Sequence, residues 1–393
     1  MNWRHNACSM LPAAPQPLAA ATITRLDAIS RARRVLLGEA QTSDGLIAPW
    51  IERSWHRCLS LGHEPRQAVV FEALSGAAMR RAADANHALT QAARPVLQEL
   101  GRALADTHFF AILTNADGVV VDVNGPIDRR DRRAELITRI GVNLSERSVG
   151  TTAIGAALNE LQPVWLHRGE HFFNDTSSYS CAGAPLFGPR GECVGMLDLT
   201  GVDAPERPEL KHLVTQSARS IENSLALHQV HALLLRLNWP GRHLGEDADA
   251  LIGLDADGFV STCNSAACQM LPQLAGASAQ HAQIHCSELF ALPFEMLFDA
   301  ARRDAAVMEV PLWSGLLLQA LALPAVDADG IGAGMGGMAR GGVAPVDQRR
   351  LKDIETALIR KAVDDARGNV AKAAQRLGVS RATVYRKLGL KRL

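Results

Sequence analysis

Two groups of residues in this chain have the types and spacing to do chemistry. The first lies close to the C-terminal end and comprises Asn369, Ser380, Arg381, Thr383, Tyr385, Arg386 and Lys387. Guanidinium forks, an ammonium and hydroxyls on one short stretch suit contacts to phosphates and to planar acceptor edges. The second lies mid-chain, where Glu170, His171 and Cys181 are interleaved with Phe110, Trp165, Phe172, Phe173 and Tyr179. Aromatic rings can supply the apolar lining of a ligand pocket, while an acid, an imidazole and a thiol supply its few polar contacts. The competing reading of each such residue is plain core, with His171 a satisfied structural histidine. As metal ligands, Glu170, His171 and Cys181 match no known spacing, so neither a metal nor a cofactor is expected.

Helices and hairpins must position these groups. Residues 20–40 and 86–106 have helical phasing, and Ile47, Trp50, Ile51, Ser54, Trp55 and Cys58 share one helix face. Three pairs of apolar runs read as β-hairpins. Phe109–Leu113 meets Val119–Val123 across Asn115-Ala-Asp-Gly118, and Ala184–Phe187 meets Cys193–Leu199 across Pro189-Arg-Gly191. Leu251–Leu254 meets Phe259–Thr262 across Asp255-Ala-Asp-Gly258. Val149 to Leu158 is helical in phase, and Glu206 to Leu237 reads as one long amphipathic stretch ended by Trp239-Pro240-Gly241. Helices mixed with antiparallel hairpins make the body α+β.

At the C-terminal end, Leu351, Ile354, Leu358 and Ala362 define a first helix that Gly368 stops. Asn369 caps a second helix over 370–377, Gly378-Val379 turns, and Ser380 caps a third over 381–388. Two short helices joined by a glycine turn predict an all-α helix-turn-helix. Its third helix would present its first residues to base edges in the major groove of double-stranded DNA. Arg381 suits a bidentate pair with guanine, and Thr383, Arg386 and Lys387 suit phosphates. Charge agrees: residues 347–393 hold 13 Lys and Arg against 5 Asp and Glu, leaving 28 against 36 elsewhere in a chain of net charge zero. A basic end on an acidic body fits a nucleic-acid partner.

Five segments are expected. Residues 1–24 form a disordered tail broken by Pro12, Pro15 and Pro17, and 25–237 and 247–325 form two folded domains. Residues 326–346 are a glycine-rich linker, and 347–393 the helix-turn-helix. Seven cysteines with no CxxC pair argue against a disulfide framework and for a reducing cytoplasm. No apolar run has the length of a membrane span.

Resemblances extend this reading. The run from Asn369 to Leu388 resembles the Fis-family helix-turn-helix, over about 350–390. That resemblance implies a homodimer with the 347–366 helix pairing across the two-fold. It also implies that Arg381 reads bases and that Thr383 and Arg386 touch the backbone. Ser148-Val-Gly-Thr-Thr-Ala-Ile-Gly-Ala-Ala-Leu158, Pro163-Val164, Gly169-Glu-His-Phe172, Cys181-Ala-Gly-Ala-Pro185 and Gly195-Met-Leu-Asp-Leu-Thr-Gly201, taken in order, resemble a GAF sensor domain. It is that of the bacterial activators of acetoin and glycerol metabolism. Ser54-Trp-His-Arg-Cys58 and Ala93-Arg-Pro-Val-Leu97 match the same family, and the resemblance runs over about 25–235. Leu144 stands where that family has tryptophan, and Thr152 where it has asparagine. Residues 247–325 resemble a smaller PAS-like α+β domain in their hairpin, in Asn264-Ser-Ala-Ala267 opening a helix, and in Gly315-Leu-Leu-Leu.

Those activators carry an ATPase module, which needs a GxxxxGK[ST] phosphate loop. No such loop occurs in this sequence. The expectation is therefore a regulator that does not hydrolyse ATP, is not an enzyme, and controls a catabolic operon in response to a small metabolite. Its expected partners are duplex DNA, a small-molecule effector, a second copy and RNA polymerase, with no membrane. Two alternatives stay open: an architectural DNA-binding protein whose body only dimerises, and a thiol enzyme using Cys181.

Overall fold

The computed structural model describes residues 24–38, 45–274, 283–302 and 307–324, together with Lys372 and Ala374. The chain divides into two compact units, Met1–Ala325 and Val326–Leu393. In the second unit only Lys372 and Ala374 are described; both are helical and Ala374 is buried. The expected tail and linker, and Asn369, Ser380, Arg381, Thr383, Tyr385, Arg386 and Lys387, therefore lie outside the described residues.

The first unit holds two antiparallel sheets. Helices α1 (Arg25–Gly38), α2 (Pro49–Ser60), α3 (Gly76–Ala85) and α4 (His87–Ala103) lead into β1 (Phe109–Asn115) and β2 (Val120–Asn124). Then follow α5 (Arg132–Ile137), α6 (Glu146–Val149), α7 (Ala153–Glu160) and β3 (Val164–His167). Next come β4 (Tyr179–Phe187), β5 (Cys193–Val202) and α8 (Leu210–Leu227). The strands order as β2-β1-β5-β4-β3. Both faces are covered, and side-chain alternation sorts the residues between them. Phe109, Ala111, Leu113, Trp165, Ala182, Leu197 and Leu199 face the core that α4 and α8 close. Phe110, Ile112, Leu166, Tyr179, Cys181 and Met196 face the other core, beside α5 and α7.

The helical segment at 149–158 is two helices, because Gly150 takes a positive φ of 68° between α6 and α7. Only glycine is at ease there. Thr152 caps α7 by accepting from Gly155 N at 3.1 Å. Thr152 thus does the capping work open to the asparagine that the resembling family has there. Gly155 is demanded by space, since a Cβ would lie 2.7 Å from Glu146 N.

One element departs from the sequence reading. The amphipathic stretch over 206–237 is helical only to Leu227, as α8, and Leu233–Asn238 is a strand, β6. Leu233, Leu234, Leu235 and Leu237 continue the apolar count, so periodicity alone could not separate a buried strand from more helix. The strand β6 belongs to the second sheet, with β7 (Ala250–Leu254), β8 (Val260–Cys263), β9 (Val307–Pro311) and β10 (Leu317–Pro324), in the order β8-β7-β6-β10-β9. Helices α9 (Ser265–Met270), α10 (Cys286–Leu289) and α11 (Glu295–Ala301) join its halves. Their apolar side chains close a core around Ile252, Phe290, Leu297 and Leu318.

Candidate functional site

Between the first sheet and α5–α7 lies a small cavity of about 30 Å³, room for a water or two as it stands. Its walls are mostly apolar: Phe71, Ile112, Ile137, Leu144, Val149, Ala153 and Ile154. Its polar groups are Thr152, His171, Thr176, Tyr179, Cys181, Asp198 and Thr200. The sheet register brings the last of these together: Cys181 pairs with Thr200 across β4 and β5, and Asp198 pairs with Ile112 of β1.

The hydrogen bonds define protonation. The Nδ1 of His171 lies 2.9 Å from Arg168 O, and its Nε2 lies 3.4 Å from Cys181 Sγ. Only the tautomer with the proton on Nδ1 makes both contacts hydrogen bonds, the thiol then donating to Nε2. Complete burial holds His171 neutral, its pKa lowered to about 4. Burial also pushes the Cys181 thiol well up, with the Asp198 carboxylate adding to the effect. Cys181 is therefore a thiol and not a nucleophilic thiolate at neutral pH. Asp198, also wholly buried, is raised to about 7 by desolvation, against the bond it accepts from the Thr200 hydroxyl. Its other oxygen, Oδ1, has no partner among the described residues. A buried, unpartnered carboxyl oxygen on the wall of an apolar cavity is costly unless something occupies the space beside it.

The loop that carries His171 is clamped from outside. Arg33 of α1 donates to Gly169 O at 2.9 Å, His171 O at 2.7 Å, Phe172 O at 2.9 Å and Asn174 Oδ1 at 2.8 Å. Its guanidinium lies 5.4 Å from the ring centre of Trp55, whose Nε1 donates to Glu170 O at 2.9 Å. Arg25 donates to both carboxylate oxygens of Glu170, at 2.9 and 2.8 Å, and Glu170 also accepts from His167 N at 2.7 Å.

The Ser54-Trp-His-Arg-Cys58 stretch proves to be an anchor for α2. Ser54 donates to Glu146 at 2.6 Å, and Arg57 donates to Glu146 at 2.6 Å and to Glu160 at 2.9 Å. Cys58 packs its thiol 3.5 Å from Thr151. These bonds dock the N-terminal helices onto α6 and α7.

Of the eight candidate ligand residues, the structure brings His171, Tyr179 and Cys181 to the cavity wall. The remaining five do not line it. Trp165 points to the opposite face of the sheet, one residue out of phase with Leu166. Phe110 shares the cavity face but packs in its core. Phe172 packs edge-on against Phe173 beneath α1 and α2. Glu170 is spent on Arg25 and His167. Sequence reasoning missed Asp198 and Thr200, although both sit in the Gly195–Gly201 run. An acid inside an otherwise apolar strand was the available signal. Among the described residues no three His, Cys, Asp or Glu side chains gather as a metal ion requires. No described helix is long and apolar enough to cross a membrane.

The fold is an α+β domain, GAF-like in its antiparallel sheet with helices on both faces. Residues 24–223 match the family described as MimR, N-terminal domain, and residues 350–389 match the Bacterial regulatory protein, Fis family. The chain belongs to the MimR N-terminal-domain family and carries a Fis-type helix-turn-helix sequence. It is 30% identical over 264 residues to the acetoin catabolism regulatory protein of Cupriavidus necator, covering 65% of this chain and 38% of that protein. It is 28% identical over 197 residues to the propane 2-monooxygenase operon transcriptional activator MimR of Mycolicibacterium goodii, covering 50% and 33%. The chain thus spans little more than a third of the curated relatives it matches. Among solved structures, the E. coli DhaR(N)-DhaL complex aligns at TM-score 0.43 and 18% identity, covering 70% of this chain and 100% of that one.

Proposed function

We propose that this protein is a cytoplasmic, DNA-binding transcription regulator whose first sheet senses a small metabolite. The observation that carries the sensing half is the unpartnered Oδ1 of Asp198 on the cavity wall. An Asp198 held near its midpoint at neutral pH, a neutral His171, a thiol and hydroxyls offer donors and acceptors with little fixed charge. They suit a small uncharged ligand with at least one donor of its own, and the apolar remainder of the wall suits a short carbon skeleton. Acetoin is one such compound to try, because the Cupriavidus relative is named for its catabolism. Occupancy at His171 would be felt through the loop that Arg33 and Arg25 hold, and so by α1 and α2.

The DNA half is supported by the Fis-family match at 350–389 and by the basic excess there. In this reading the protein acts as a homodimer on duplex DNA, with RNA polymerase as a further partner, and Arg381 reads a base. The raised thiol of Cys181 speaks against a thiol enzyme. The test is fluorescence anisotropy of the full chain on operator DNA selected from a genomic library, with and without candidate metabolites. A ligand should shift affinity for the operator, and Asp198→Ala should abolish that shift while leaving binding without ligand intact. Arg381→Ala should cost about 1–3 kcal/mol on the operator and little on random DNA. Equal loss on both would remove the base-reading role, and ligand indifference across the set would leave a purely architectural body.

A further inference from the structure

The structure holds a second chemically competent group, independent of the cavity. At the start of α9, Cys263 Sγ and Cys268 Sγ lie 3.7 Å apart. Asn264 caps this helix, accepting from Ala267 N at 2.9 Å. Cys263 is therefore the residue before the cap and Cys268 the fourth residue of the helix. In many helices these two positions hold apolar side chains that pack on each other and fix the angle of chain entry. Here the contact is made by two thiols. We infer that Cys263 and Cys268 form a reversible dithiol–disulfide pair, oxidised by a hydroperoxide.

The geometry gives each sulfur a role. Cys268 is half-exposed, whereas Cys263 is buried. Either thiol can donate across this contact, and the better-solvated Cys268 is the one to carry the thiolate, with Cys263 then donating to it; the pKa of Cys268 is lowered and that of Cys263 raised. The Cys268 thiolate attacks one peroxide oxygen, forming S–O as O–O breaks; the sulfur becomes a sulfenic acid, and the departing oxygen takes up the proton that Cys268 released to solvent and leaves as water or an alcohol. Cys263 gives up its proton as its sulfur attacks the sulfenic sulfur, S–S forms, and the sulfenic oxygen leaves as water. Two thiols and one peroxide thus yield one disulfide and two hydroxylic products, with no other reductant or oxidant. Closing the remaining gap needs rotation of the two side chains toward the ordinary S–S bond length of about 2 Å.

The site has reach beyond α9. Between the two thiols, Asn264 donates to Asn223 Oδ1 of α8 at 2.7 Å and to Asp249 O at 2.8 Å. The amide of Cys263 donates to Pro189 O, in the β4–β5 hairpin of the first sheet, at 2.8 Å. A covalent lock here would bear on the contacts that join the sensing sheet to the second one.

The test treats the full chain with stoichiometric hydrogen peroxide, blocks remaining thiols under denaturing conditions, and maps the unreduced digest by mass spectrometry. Cys193 is the internal control, because it is likewise only partly buried but its sulfur contacts the main chain of Gly195 and Leu186, not a second thiol among the described residues. The expected result is joint loss of blocking at Cys263 and Cys268, a mass two hydrogens lower, and recovery with dithiothreitol, several-fold faster than any change at Cys193. In Cys263→Ser, Cys268 should instead be trapped by dimedone as the sulfenic acid. Sulfinic acid accumulating on Cys268 of the parent chain without the cross-link would overturn the proposal. Reaction of Cys193 before either partner would do the same.

Discussion

The two sheets of the first unit are built on the same plan and put to different use. Each has five antiparallel strands and carries at one edge a hairpin whose turn is held by an Asx side chain. Asn115 Oδ1 accepts from Asp117 N and Val119 N, and Asp255 Oδ1 accepts from Asp257 N and Phe259 N. Both turns end on a glycine of positive φ, 79° at Gly118 and 87° at Gly258. The difference lies in what faces inward. Beside α5–α7 the first sheet buries His171, Asp198 and Thr200 around a cavity. The second closes around Ile252, Leu254, Phe290, Leu297 and Leu318, with cysteines as its softest members. At β9 and β10 its other face is half open, as the alternating exposure of Leu317–Pro324 shows. A shared hairpin therefore says nothing of shared function. What distinguishes the first sheet is a buried carboxyl oxygen, Asp198 Oδ1, left without a partner beside a cavity; among the described residues the second sheet leaves only hydroxyls, of Thr262 and Ser265, so unpaired.

The comparison breaks most easily at its apolar end. Phe290→Ala should cost about 3–5 kcal/mol, the usual cost of emptying an aromatic site in a packed core. Urea unfolding should show that loss, while any ligand response of the folded variant stays as in the parent. A changed response would mean that the second sheet takes part in sensing. Next in size is the clamp. Arg33→Ala removes hydrogen bonds to three main-chain carbonyls and should cost about 2–3 kcal/mol. The sharper readout is hydrogen exchange, which should quicken at residues 169–174 and stay unchanged at Leu251–Leu254. Uniform quickening in both sheets would make Arg33 a general stabiliser and not a local clamp.

Much of this was legible in the sequence, for identifiable reasons. The hairpins were, because Asx-x-x-Gly turns between apolar runs are a local code that distant contacts do not rewrite. The helix α2 was legible from the spacing of Ile51, Ser54, Trp55 and Cys58, all buried as that face required. The strand β6 was not, because four leucines among Leu233–Leu237 satisfy a buried strand and a buried helix equally. Half of the site was hidden for a related reason. Trp165 and Leu166 are neighbours in sequence, yet face opposite cores, and only the phase of β3 decides which one meets Cys181. Asp198 was hidden because its meaning depends on the missing partner of one oxygen, which is a fact of three dimensions.

The smallest effect expected is the most specific to the first sheet, and it is a pH dependence. The pKa of Asp198 is raised from an ordinary 3.8 to about 7, so the folded state binds its proton more tightly than the unfolded chain does. Stability from this group is present at low pH and is lost as pH climbs from about 4 to about 7. His171, lowered from 6.5 to about 4, acts in the opposite sense, withdrawing stability as pH falls across that same window. In the parent chain the two slopes offset each other. Asp198→Asn, which keeps the shape and removes the charge, should unmask the His171 slope. The variant should be more stable than the parent by about 1–2 kcal/mol at pH 8, where the parent must bury a carboxylate, with the gain vanishing near pH 4. Urea midpoints across that range decide it. A difference that stays constant from pH 4 to pH 8 would mean that the carboxyl is not the titrating group, and that the first sheet owes its distinct character to shape alone.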